Sequence, residues 1–119
     1  MSNSTGTEVV GLADFTADIF EPLVGQTLVF ERPSSEGREP AEPARMQLLE
    51  VHRGFSVPPP LRQPFSLLLM MKDQPPLSMA LHRLIHDGLE PAELLISRVT
   101  VPHHQVKDPA GMYYELVFG

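Results

Sequence analysis

The sequence predicts a mainly β fold: a small antiparallel six-stranded barrel or sandwich with one short N-terminal helix. Three observations lead there. Thirteen prolines in 119 residues, about twice the usual share, fall in clusters that divide the chain. Short apolar runs lie between the clusters, and no helical run long enough for a crossover separates them, so antiparallel pairing is expected. One open sheet of six strands with a single helix would leave a broad apolar face bare, and closure into a barrel or a two-layer sandwich removes it.

The helix is expected over residues 12–21, where Leu12, Phe15, Ile19, Phe20 and Leu23 form an apolar stripe and Asp14 and Asp18 face the other way. Pro22 ends it near Phe20, Gly25 turns the chain out, and the helix is expected to plug one end of the β domain. The first strand is expected over Gln26–Arg32. The second, Arg45–Arg53, changes parity from Met46 and Leu48 to Leu49 and Val51, which places a bulge near Leu48–Leu49 or covers the strand on both faces. Phe65–Lys72 is an unbroken apolar run bounded by Pro64 and Pro75, and reads as a buried central strand. Leu77–Ile85, with Leu77, Met79 and Leu81 alternating, is the fourth strand, and the β-branched Glu93–Val101 is the fifth. Met112–Phe118 is the sixth. Its Tyr114, Leu116 and Phe118 share one face, and Leu116 and Phe118 are expected in the core. Proline cannot donate to a ladder, so the clusters are read as strand ends.

Residues 1–11 read as a disordered tail and residues 12–119 as a single β domain, within which residues 33–44 form a flexible proline-rich loop. A net charge of −6 argues against nucleic acid or an anionic membrane as the main partner. Cysteine is absent, which excludes disulfide frameworks, zinc ribbons and cysteine nucleophiles. No apolar stretch approaches the roughly 18 residues of a membrane helix, and Met1–Gly6 lacks the features of a secretory signal, so a cytoplasmic location is expected.

No catalytic motif emerges. Five histidines, His52, His82, His86, His103 and His104, are the reactive set. His82 and His86 would share a helical face, but on a strand they stand about 13 Å apart, too far for one ion. Glu36, Glu39 and Glu42 lie in the proline-rich segment and read as solvent-facing. Glu50 and Glu115, each inside an apolar strand, are expected to face outward or to pair with Arg83 or Arg98. Ser66 and Ser97 have no nucleophile context, and no glycine-rich phosphate loop is present. Met70, Met71, Met79 and Met112 are read as core filling. No catalytic residue, metal site or cofactor is therefore expected.

Several fragments in order carry a resemblance: Phe20–Gly25, Leu49-Glu50-Val51, Pro64-Phe65-Ser66-Leu67-Leu68, His86 with Gly88-Leu89, Leu94-Leu95-Ile96 before Val99, and Tyr114-Glu115-Leu116-Val117-Phe118. Together they resemble a bacterial family of small proteins that constitutes a domain of unknown function. The resemblance spans residues 12–119. This chain departs from the family pattern at Gly119, where asparagine is usual, at Asp87, where a proline often follows the histidine, and at Ser97-Arg98, in place of an apolar-proline pair. Members are often encoded beside phage-tail-collar-like proteins, which implies an association with a tail-like or surface particle and brings no catalytic residue with it.

The function expected is a non-catalytic interaction or accessory structural protein with a protein partner, with self-association left open. The alternative is a small-molecule-binding barrel lined by Phe65, Met70, Leu81, Tyr113 and Phe118. An enzyme would have to draw on His82, His86 and Glu50.

Overall fold

The structure is a computed structural model that describes residues 11, 15–32, 42–54, 58, 63–77, 80–102, 106 and 108–118. The expectations for residues 1–10 of the tail, for 33–41 of the proline-rich segment, and for Met79, His103, His104 and Gly119 lie outside the described residues.

Six antiparallel strands close into a barrel: β1 (Thr27–Glu31), β2 (Ala44–Arg53), β3 (Phe65–Met71), β4 (Ala80–His86), β5 (Leu89–Val99) and β6 (Met112–Phe118), in the circular order β1-β2-β3-β6-β5-β4. The order contains two meanders, β1-β2-β3 and β4-β5-β6, joined at their outer strands by the β1–β4 and β3–β6 ladders. Exchanging the meanders leaves the set of pairings unchanged, so the barrel has an approximate two-fold arrangement.

Alternation fills the interior. Leu28 and Phe30 of β1, Met46 and Leu48 of β2, Leu67, Leu69 and Met71 of β3, Leu84 of β4, Ile96 of β5, and Tyr114 and Leu116 of β6 are almost completely shielded from solvent. Leu116 and Phe118 point into the core, as the parity of β6 requires. The expected bulge in β2 is present: the β2–β3 register slips between Leu48 and Glu50, which changes the parity of the strand.

Helix α1 is shorter than the apolar stripe suggests. It spans Ala17–Phe20 and tightens into a 3-10 turn over Glu21–Leu23. Thr16 is extended, with φ −135° and ψ 165°, and sets the N-terminal boundary. Phe15 and Phe20 pack against Phe118, and Phe20 also against Phe65, at the end of the barrel where β3 begins and β6 ends. Arg53, at the end of β2, ties the helix down through Asp18 at 2.6 Å and Glu21 at 2.9 Å. The plug is therefore held by an aromatic cluster and two exposed ion pairs that share Arg53. Gly25, at φ +92°, turns the chain into β1, and its N–H donates to the Leu48 carbonyl at 2.8 Å.

Strands β4 and β5 correct the expected boundaries. They form a hairpin across Asp87-Gly88, with His86 level with Leu89 and Gly88 at φ +82°. Asp-Gly between apolar segments is a strong hairpin signal that the reading by proline position passed over. Pro91 lies inside β5 and does not stop it. The β4–β5 register is irregular between Leu84 and His86, and β6 joins β5 only from Ser97 onward, so Pro91 occupies a stretch where its missing N–H costs no ladder bond. The alternation of Leu77 with Leu81 does not mark one face, since Leu77 is buried. Leu81 is 54% exposed, whereas His82 is 2% exposed and sits among the interior residues.

The link from β3 to β4 is anchored from below by side chains. The Arg32 guanidinium donates to the carbonyls of Glu42 and Pro75, each at 2.9 Å. Gln74 accepts from the Arg45 N–H and donates to the Arg45 carbonyl, both at 2.8 Å. The Leu77 N–H donates to the Tyr114 hydroxyl at 3.0 Å inside the core.

Candidate functional site

The residues singled out from sequence do not converge. His82 is interior, and His86 is half-buried at the hairpin with its Nδ1 2.8 Å from the Asp87 carbonyl oxygen. Glu50 is half-buried on the outer face of β2, where its Oε1 lies 2.9 Å from Nε2 of His52. Among the described residues, no three His, Asp or Glu side chains are grouped to hold a metal ion. Neither basic candidate pairs with Glu50 or Glu115. Arg83 lies 3.9 Å from Glu31 and 3.8 Å from Glu93, and Arg98 stands 5.7 Å above the Tyr114 ring.

The expected ligand-cavity lining is also divided between two faces. Phe65 and Phe118 are interior, but Met70, Leu81 and Tyr113 have the outward parity of their strands. Tyr113 is nevertheless buried, beneath the loop that precedes β6. Its hydroxyl accepts from the Asp108 N–H at 3.1 Å and donates to the Asp108 carbonyl at 3.3 Å. The Asp108 carboxylate in turn receives the Lys72 ammonium at 2.8 Å and the Ala110 N–H at 2.8 Å. The Lys72 hydrogen bond foremost, and then the Ala110 N–H, hold the Asp108 carboxyl below its ordinary range.

What the fold does assemble is an outer surface. Leu81 and Leu95 are direct cross-strand partners on β4 and β5, 54% and 53% exposed, and Val117 on β6 is 70% exposed. The β5–β6 ladder ends at Ser97↔Glu115, two residues short of Leu95 and Val117, which lie on the outer faces of these adjacent strands. Three exposed aliphatic side chains thus lie on the outer faces of three adjacent strands. A row runs from Val117 through Ser66 of β3 to His52 of β2, which are register partners of Val117 and of each other. A parallel row holds Glu50, Leu68, Glu115 and Ser97.

At the β2–β3–β6 end these rows border a groove of about 220 Å³ lined by His52, Arg53, Pro64, Ser66, Glu115 and Val117. Among the described residues, no side-chain hydrogen bond joins His52 to Ser66, and the Glu115 carboxylate has neither an ion pair nor a hydrogen bond. Periodicity within any one strand could not reveal this groove, because it depends on β6 lying beside β3. The available clue was that Glu115 and Val117 alternate outward on a strand whose other face is apolar.

No helix among the described residues is long and apolar enough to cross a membrane. No curated protein and no solved structure matches the chain. One family does, and it covers the whole barrel together with the phenylalanines of its plug, from residue 15 to residue 118. The chain belongs to that family, a domain of unknown function (DUF6916).

Proposed function

We propose that this domain is a non-catalytic interaction or accessory structural protein that uses the outer face of β4, β5 and β6 to hold a protein partner. The observation that carries the reading is the exposed cross-strand pair Leu81 and Leu95, with exposed Val117 on the neighbouring strand. The interior is already filled by large side chains, so these exposed aliphatics are additional to the core. Exposed aliphatics on adjacent strands suit a protein surface, and the net charge of −6 disfavours nucleic acid. Two finer features of the proposal come from the resemblance, a bacterial source and an association with a phage-tail-like or surface particle; the cytoplasmic location comes from the sequence reading of Met1–Gly6 and the short apolar stretches.

The test is the combined variant Leu81→Ser, Leu95→Ser and Val117→Thr. Size-exclusion chromatography with light scattering, and retrieval from the native host with identification of what is retrieved, should show an assembly with the parent protein. The variant should lose it while keeping its thermal transition. A parent protein that is strictly monomeric and retrieves no partner would overturn the proposal.

A further inference from the structure

The groove beside Val117 has a charge pattern that specifies what would fill it. Glu115 is half-buried, and its register partners are Leu68 on β3 and Ser97 on β5, neither of which offers a cation. Arg53 lines the groove, but its guanidinium is held by Asp18 at 2.6 Å and Glu21 at 2.9 Å. Those two hydrogen bonds, Asp18 first, raise its pKa, so Arg53 is committed as a cation to the carboxylates of the helix plug. Glu50 faces His52, whose ring remains largely exposed. Arg53 is thus neutralised by carboxylates outside the groove lining, and Glu115, the one carboxylate in that lining, has no cation of its own among the described residues.

Glu115 and Val117 are two residues apart on one strand face, so their side chains stand about 7 Å apart along β6. An extended peptide presents its own side chains with the same two-residue period. A basic residue two positions from an aliphatic one would therefore meet Glu115 and Val117 together. We infer that the groove receives an extended cationic segment of a protein partner, with a Lys or Arg directed at Glu115 and an aliphatic residue two positions away seated on Val117. The inference rests on the interaction reading above and names the chemistry of its partner.

The experiment is a titration of ¹⁵N-labelled full-length protein, followed by amide chemical shifts. The probes are two millimolar capped peptides carrying Val-Ser-Arg and Arg-Ser-Val, with a Glu-for-Arg version of each as control. The arginine peptide of one order should shift the amides of Ser66, Glu115 and Val117. Glu115→Gln, which breaks no bond among the described residues, should weaken that binding about two- to fivefold, as expected for a part-exposed ion pair. Added salt should weaken it too. Shifts elsewhere, no shift, equal shifts with the glutamate controls, or no effect of Glu115→Gln would overturn the inference. If the Leu81, Leu95 and Val117 substitutions still abolish assembly while the arginine peptides do nothing, the interaction reading stands and the cationic partner is wrong. If the peptides bind as described but the parent protein forms no assembly, the groove is real and the wider apolar face is not its interface.

Discussion

Phe65 and Phe118 are register partners on β3 and β6, and their rings stack with centroids 4.4 Å apart and planes 6° from parallel. Phe20 contacts both rings, at 5.9 Å and 5.7 Å, and Phe15 lies 6.2 Å from Phe118. This contact fastens the ladder between the two meanders and seats the helical plug. Replacing Phe118 by alanine should cost about 3–5 kcal/mol, through lost burial and the cavity left behind. Val117→Ala, one residue away and outward, should stay within about 0.5 kcal/mol. Urea unfolding of the two variants measures both, and equal losses would contradict the assigned parity.

Removing residues 114–119 deletes Tyr114, Leu116 and Phe118 from the core and the partner of β3 along most of its length. Burial of Leu116 and Phe118 alone contributes about 3–6 kcal/mol, comparable to the whole margin of a small domain, about 5–15 kcal/mol. The truncated protein should show no cooperative thermal transition in a calorimeter. A transition retained within a few degrees would show that β6 is an appendage to an otherwise complete sheet.

Tyr114 has a second role besides filling volume, since its hydroxyl accepts the buried N–H of Leu77. Tyr114→Phe strands that donor and should destabilise by about 1–3 kcal/mol. Denaturant midpoints at constant slope would report it.

Gly88 turns the β4–β5 hairpin at φ +82°, and a Cβ there would meet nothing within 4 Å. The penalty for Gly88→Ala is therefore conformational and should be about 1–2 kcal/mol. Gly88→Asn should recover part of it, because asparagine tolerates this backbone region better. Calorimetry on both variants checks the ordering.

Asp108 supplies a pH dependence. Its folded pKa is lowered from the ordinary 3.8, chiefly by Lys72. A depressed carboxyl stabilises the fold above its unfolded pKa, and that stability disappears as pH falls through the folded value. The parent protein should thus lose stability below about pH 4 more steeply than Asp108→Asn, and their melting curves should converge with acidification. Parallel acid limbs for the two proteins would contradict the assignment.

Strands β1, β2 and β6 were legible because each has one clear parity, or one clear change of parity, and β3 because its unbroken apolar run is short and bounded by Pro64 and Pro75. The shift of β4 and β5 has a definite cause. Proline was read as punctuation everywhere, yet Pro91 sits where no ladder partner needs its N–H, and the Asp87-Gly88 hairpin signal was passed over. Leu81, included in the alternative cavity lining, is instead exposed, and His82 is interior. The groove was illegible for another reason. Its rows run across β2, β3 and β6, and the nearness of β6 to β3 is a long-range pairing that no local pattern encodes.

The division into two meanders determines what would follow from severing the chain between Met71 and Ala80. Each fragment would carry its own consecutive strands, and the β1–β4 and β3–β6 ladders, with the packing of Phe15 and Phe20 on Phe118, would span the gap. Barrel closure would become a bimolecular reassociation, set by fragment concentration. The β3–β6 register pairs seven residues and ends at the stacked phenylalanines, whereas the β1–β4 register pairs three. Fragment complementation would therefore be driven from the β3–β6 side, with the β1–β4 side closing second.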